Sequence, residues 1–168
     1  MKKAFTLIEL LVVIAIIALL TSIVLAATTA ARLKARDATR MDDLHQLSVS
    51  LESYFNENGG TYPSTSGQWQ GICPDYNPGG ALGRSGPNGW IPNLAPANIP
   101  ILPIELHPVG TYGCYLYRSD GHDYKLLAHQ TVEYCSSPTF IPSTSGLYDP
   151  QRSNQCTFQV STPGAANW

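Results

Sequence analysis

The side chain with the most informative chemistry is Glu9, the one charged residue in the apolar segment 5–31. A carboxylate in the middle of a membrane costs roughly 2.5–3.5 kcal/mol, so a segment that only anchors a chain would carry an apolar residue there. The acid therefore needs a positively charged partner. Removal of the basic leader 1–4 after Ala4 would supply one, because the new α-amine of Phe5 would lie one helical turn from Glu9.

The four cysteines could form two disulfides. Cys73, Cys114, Cys135 and Cys156 are an even set without a C-x-x-C pair, which is typical of an oxidising compartment. Four cysteines allow three connectivities, so the sequence leaves the pairing open. We favour Cys135–Cys156, which would clamp the loop 136–154, together with Cys73–Cys114.

No other motif points to catalysis or to a bound cofactor. Asp120 and Asp123 are weak calcium candidates, since together with Glu133 they offer too few oxygen ligands, and an Asp-Gly turn explains them equally well. The four histidines lack metal-ligand spacing, and there is no nucleophile elbow, phosphate loop or dinucleotide fingerprint. We therefore predict no catalytic residue, no cofactor and no metal. A net charge of −2 predicts no specific nucleic-acid partner.

Glu9 is placed by a long helix. Residues 10–31 contain no charge and are long enough to span a bilayer. The rival interpretation is a secretory signal peptide cleaved near Ala26. Glu9 interrupts its apolar region, and no Gly or Pro occurs from Met1 to Asn58, so one uninterrupted helix is favoured.

The second half of this helix, 32–58, is amphipathic. Its apolar residues recur at helical spacing and form one stripe: Leu33, Met41, Leu44, Leu47, Leu51, Tyr54 and Phe55. The cations Arg32, Lys34, Arg36 and Arg40 are expected to pair with Asp37, Asp42 and Asp43 of neighbouring helices. The glycines after Asn58 predict the helix end. A soluble monomer cannot bury the first half, so lipid or other copies of the helix must do so.

The remaining residues, 59–168, predict a small β domain. A Pro/Gly-rich loop, 61–108, is expected to be packed but irregular. Strands are predicted at 111–118, 123–132 and around 155–161, with an Asp-Gly turn between the first two. Packing of this sheet on the apolar stripe from Leu44 to Phe55 gives an α+β fold.

The N-terminal residues also carry a family resemblance. Residues 4–17, AFTLIELLVVIAII, resemble the cleavage and methylation motif of type IV prepilins and type II secretion pseudopilins, and 56–63 are similar to the helix exit of major pseudopilins. The resemblance implies a pilin-like fold with disulfide-stapled loops. It also implies that a prepilin peptidase cuts between Ala4 and Phe5 and methylates Phe5. In the filament, Glu9 would neutralise the Phe5 amine of a neighbouring subunit.

This sequence departs from the family pattern at two points. Ala4 stands where Gly is usual, and the region 20–27 lacks the Pro that many members carry. A break in the helix inside a filament is therefore not encoded by Pro in this chain.

The resemblance implies a filament subunit that is not an enzyme. Its partners would be copies of itself, related minor pilins, the prepilin peptidase, the inner-membrane assembly machinery and, before assembly, membrane lipid. It would move from the inner membrane into an extracellular filament. A periplasmic type II secretion pseudopilus is the alternative. A third possibility is a secreted or anchored binding domain that does not polymerise, with Tyr112, Tyr115, Tyr117 and Trp69 as its ligand face.

Overall fold

The computed structural model describes residues 6–133, 146–152 and 155–168. The chain divides into two compact units, Met1–Arg36 and Asp37–Trp168. The elements, in chain order, are helix α1 (Leu7–Glu57), strands β1 (Cys114–Ser119), β2 (Tyr124–His129) and β3 (Phe158–Ser161), and 3-10 helices at Pro74–Tyr76, Pro78–Gly80, Pro150–Arg152 and Pro163–Ala165.

Helix α1 ends where the sequence predicts. The amide of Gly60 donates to the carbonyl of Phe55 at 3.0 Å, and Gly59 has a φ of 67°. A left-handed residue followed by this backward hydrogen bond is the usual glycine termination of a helix, and it turns the chain toward the sheet.

The three strands form one antiparallel sheet in the order β1-β2-β3. Tyr115 lies opposite Ala128, which in turn lies opposite Phe158. The tight turn between β1 and β2 is confirmed: the carboxylate of Asp120 accepts the amides of His122 at 2.8 Å and Asp123 at 2.9 Å, and Gly121 has a φ of 99°. The fold is the predicted α+β, pilin-like layout.

One face of the sheet packs on α1, as predicted. Leu44, Leu47 and Leu51 are completely buried against inward side chains of the sheet such as Leu126 and Phe158. Burial of each leucine contributes about 1.5–3 kcal/mol relative to exposure. This layer forms the main core of the unit Asp37–Trp168.

The loop 61–108 is packed, as its apolar residues predict. Trp90, Ile91, Leu94 and Leu102 are buried in the main core. The indole of Trp90 donates to the carbonyl of Pro103 at 3.1 Å, which satisfies its one polar atom. The loop therefore forms part of the core.

The other side of the sheet, which we call the outer face, carries the alternate side chains of each strand. Cys114 and Leu116 of β1 and Leu127 of β2 form a second, smaller cluster there with Cys73. The predicted Cys73–Cys114 disulfide is confirmed, with the two Cα atoms 6.0 Å apart. Cys135 lies outside the described residues, so its pairing with Cys156 stays a prediction.

The strand alternation contradicts the predicted tyrosine ligand face. Tyr115 and Tyr117 are 4% and 0% exposed and point into the main core. The hydroxyl of Tyr115 donates to Asp43 at 2.6 Å, and that of Tyr117 donates to the carbonyl of Pro63 at 2.8 Å. Trp69 belongs to the outer-face cluster instead. Tyr115 and Tyr117 do share one face of β1, as alternate residues of a strand must, but that face packs on α1 and is not exposed to solvent.

Candidate assembly site

The first half of α1 exposes its apolar side chains on every side. Fourteen large ones between Leu7 and Leu25 are exposed, by 48% to 82%. The helix meets the length and composition expected of a membrane span, with a mean hydropathy of 3.1 in its most apolar window, a test that a signal sequence would also pass. Exposed apolar area of this extent marks a surface that lipid or protein must cover.

Four hydroxyls in this segment are satisfied within the helix. Thr21, Ser22, Thr28 and Thr29 each donate to the carbonyl three or four residues earlier, at 2.7–3.1 Å. A hydroxyl bonded in this way brings no unpaired donor into an apolar environment. The only formal charge from Leu7 to Ala31 is therefore Glu9.

Glu9 caps the start of the helix. Its Oε2 atom accepts the amide of Thr6 at 2.8 Å and the Thr6 hydroxyl at 2.7 Å, while the amide of Glu9 approaches the same hydroxyl at 3.3 Å. This reciprocal pair is a capping box, which satisfies two of the free amides at a helix N-terminus. Among the described residues, Oε1 of Glu9 accepts no hydrogen bond.

The capping box was missed by the sequence analysis, although its signal is present. Thr6-Leu7-Ile8-Glu9 is an S/T-x-x-E pattern directly before an apolar run. Glu9 therefore has a local role as well as the proposed partner in another subunit. The cap engages one carboxylate oxygen of Glu9, and the other accepts no hydrogen bond from the part of the chain that the structure describes.

The base of α1 holds a buried ion cluster in the unit Asp37–Trp168. Arg40 is 2% exposed and donates to Asp37 at 2.7 Å, to Glu105 at 2.7 and 3.0 Å, and to Glu133 at 3.1 Å. Burial alone would lower the pKa of Arg40, but the hydrogen bonds to Glu105, Glu133 and Asp37 raise it. The cluster ties the helix to the segments around Glu105 and Glu133.

This cluster corrects one expectation. Arg40 and Asp37 were expected to pair with neighbouring helices, yet they pair with each other in one chain. Residues three or four positions apart are neighbours on a helix surface, so Asp37 and Arg40 can pair without a second subunit. Asp43 also has a partner in the same chain, the hydroxyl of Tyr115.

The remaining predicted site residues are as follows. Ala4 and Phe5 lie outside the described residues, so cleavage and methylation stay predictions. Asp120 is an exposed turn residue whose pKa is lowered by the backbone amides of Asp123 and His122. Within the described ranges, no group of three or more His, Cys, Asp or Glu residues is arranged to hold a metal ion.

One of the comparisons with known proteins found a match, which lies at the N-terminus. Residues 1–25 match the family model described as the prokaryotic N-terminal methylation motif. Comparisons with curated proteins and with solved structures found no match. The match covers the segment that contains Glu9 and much of the exposed apolar helix. The chain thus carries the signature of type IV pilins and pseudopilins at the start of a pilin-like α+β fold.

Proposed function

We propose that this protein is the structural subunit of a type IV pilus-like filament. A prepilin peptidase cleaves it after Ala4 and methylates Phe5, the apolar half of α1 holds it in the inner membrane, and that half then bundles with copies of itself. The observation that carries the proposal is the fully exposed apolar helix joined to the methylation motif. Minor pilins and the inner-membrane assembly machinery are the further partners.

Bundling exchanges lipid contacts for contacts between helices. Lipid tails are as apolar as leucine, so the gain comes from close packing and not from the hydrophobic effect. The free energy of such packing differs little between one axial offset of two neighbouring apolar helices and the next. A second feature must therefore set the axial register.

Glu9 supplies the register. Its open Oε1 can accept the Phe5 amine of the adjacent subunit while Oε2 keeps the cap on Thr6. A buried carboxylate without its counter-charge is strongly destabilising, so each wrong stagger is penalised. Since α1 has no Gly or Pro, no bend encoded by these residues sets the register.

A type II secretion pseudopilin is the second candidate, favoured by the helix exit. Tyr62 packs between Phe55 and Tyr124, with both pairs of ring centroids 4.7 Å apart, and is followed by Pro63. The sequence 56–63 around it resembles the major pseudopilin exit. The two candidates differ in location: filaments sheared from the cell surface support the pilus, whereas filaments confined to the periplasm support the pseudopilus.

The test separates the charge of Glu9 from its cap. Glu9→Gln keeps the capping pattern, which accepts Gln, and removes the charge. Thr6→Val removes the capping hydroxyl and keeps the charge. We expect Glu9→Gln to reduce sheared filament at least tenfold at unchanged membrane level, and Thr6→Val to leave most filament in place. Normal filament from Glu9→Gln with loss in Thr6→Val would show that Glu9 only caps the helix. Absence of filaments from the native chain would favour the non-polymerising, anchored alternative.

A further inference from the structure

The outer face of the sheet concentrates positive charge in an acidic domain. The unit Asp37–Trp168 contains five Lys and Arg residues against eleven Asp and Glu residues, a formal charge of −6. Three of those five cations, Arg118, Lys125 and Arg152, lie together on or over the outer face. Such a concentration against the overall charge calls for a physical reason.

Two tryptophans are interleaved with two of these cations. The guanidinium carbon of Arg118 lies 4.9 Å from the ring centroid of Trp168 and 5.8 Å from that of Trp69, and Arg152 lies 4.9 Å from the Trp69 centroid. We call these four residues the Arg–Trp cluster. All four are partly exposed. Aromatic faces hold a guanidinium in place while leaving its N–H edge available.

The available negative charge is already used. Lys125 is completely buried and donates to Asp149 at 2.9 Å and to the backbone oxygens of Ala166 and Trp168 at 3.0 and 3.1 Å. The second carboxylate oxygen of Asp149 accepts Arg152 at 2.9 Å. One carboxylate thus serves two cations.

Arg118 is left without a counter-charge. Across the described ranges it forms no ion pair, and its Nε is buried without an acceptor. In the sheet register Arg118 lies directly opposite Lys125, and like charges at such a position repel. An oxyanion bound at the exposed part of the Arg118 guanidinium would supply the missing counter-charge and offset the repulsion from Lys125, since guanidinium groups bind oxyanions through charge-assisted hydrogen bonds.

We propose that the Arg–Trp cluster binds an acidic polysaccharide, with Arg118 holding its carboxylate or sulfate groups. The cluster lies on the side of the sheet opposite the face that packs on Leu44–Leu51, and its four side chains are partly exposed. Nucleic acid fits less well. Trp69 already carries two guanidiniums where a base would stack.

The test measures binding by the intact, unassembled protein in detergent, so it does not depend on the filament. The probes are polygalacturonate and heparin for the carboxylated and sulfated sources, neutral dextran, and single- and double-stranded DNA. Arg118→Gln is compared with Arg84→Gln, which changes the charge equally in the same unit but outside the cluster. Arg118→Lys keeps the charge without the planar fork. Thermal unfolding of each variant checks the fold.

We expect one or both acidic glycans to bind and dextran not to bind. Arg118→Gln should weaken binding about tenfold or more, as expected for loss of a charge-assisted pair. Arg118→Lys should weaken it severalfold, and Arg84→Gln less than twofold. Three results would overturn the proposal: no glycan binding, equal losses in Arg118→Gln and Arg84→Gln, or tighter, Arg118-dependent binding of DNA.

Discussion

Replacement of Arg40 by Met tests whether the buried ion cluster holds α1 to the sheet domain. The change keeps much of the apolar stem and removes the charge from a side chain that is 2% exposed. It leaves the carboxylates of Asp37, Glu105 and Glu133, which are 2%, 4% and 17% exposed, without their common partner. Removing one member of a buried ion pair typically costs 3–5 kcal/mol. Because three acids lose their cation together, we expect the upper part of this range.

The assay is urea unfolding of the full chain in detergent, followed by near-ultraviolet circular dichroism, to which the buried Trp90 contributes. Urea is preferred to guanidinium because it leaves the ion cluster unscreened. Asp37→Asn in the Arg40→Met background should recover part of the loss, with a coupling of about 0.5–3 kcal/mol.

Arg84→Met is the matched control. Arg84 lies in the same unit and donates to the carbonyl of Leu102 at 2.8 Å, with no carboxylate in the described part of the chain. Loss of that hydrogen bond should lower the free energy of unfolding by at most about 3 kcal/mol. The reasoning is refuted if Arg40→Met costs no more than Arg84→Met and Asp37→Asn recovers none of the loss.

Two further predictions concern the outer face. Replacing both Cys73 and Cys114 by Ala should lower the free energy of unfolding by about 4 kcal/mol, which is the chain-entropy value for a closed loop with a sequence separation of 41. The measurement is urea unfolding without reductant. A loss below about 1 kcal/mol would contradict a stabilising role for the disulfide. Burial lowers the pKa of His129, whose Nδ1 lies 3.1 Å from the carbonyl oxygen of Tyr112. Its stabilising contribution should therefore be present above the unfolded value of 6.5 and be lost as pH falls through the lower folded value. We therefore compare the unfolding free energy of the native chain with that of His129→Leu from pH 7 to pH 5. The advantage of the native chain should become smaller as the pH falls, and an advantage that stays constant would contradict the prediction.

The elements governed by local pattern could be predicted from the sequence. Three local signals each predicted their element correctly. They are the absence of Gly and Pro up to Asn58, the apolar stripe Leu44–Leu51 and the Asp-Gly turn. The Thr6–Glu9 capping box was equally local. It was missed because Glu9 was interpreted only as a partner for another subunit.

The long-range contacts could not be predicted in the same way. Two of the three acidic partners of Arg40 lie 65 and 93 residues away, in loops without regular periodicity, so no spacing rule connects them to Arg40. The same holds for Lys125, whose acceptors lie 24 to 43 residues away. The tyrosine face failed for another reason, because alternation puts Tyr115 and Tyr117 on one face but the packing of the sheet on α1 decides that this face is buried.

The N-terminus of the mature chain tests the central claim most directly. Filaments sheared from cells that express the native gene would be dissociated and the subunit analysed by intact mass and N-terminal sequencing. The proposal predicts a chain that begins at Phe5 and carries one added methyl group. A chain that keeps Met1, or one that begins near Ala27 as a cleaved signal peptide would leave it, would contradict the proposal.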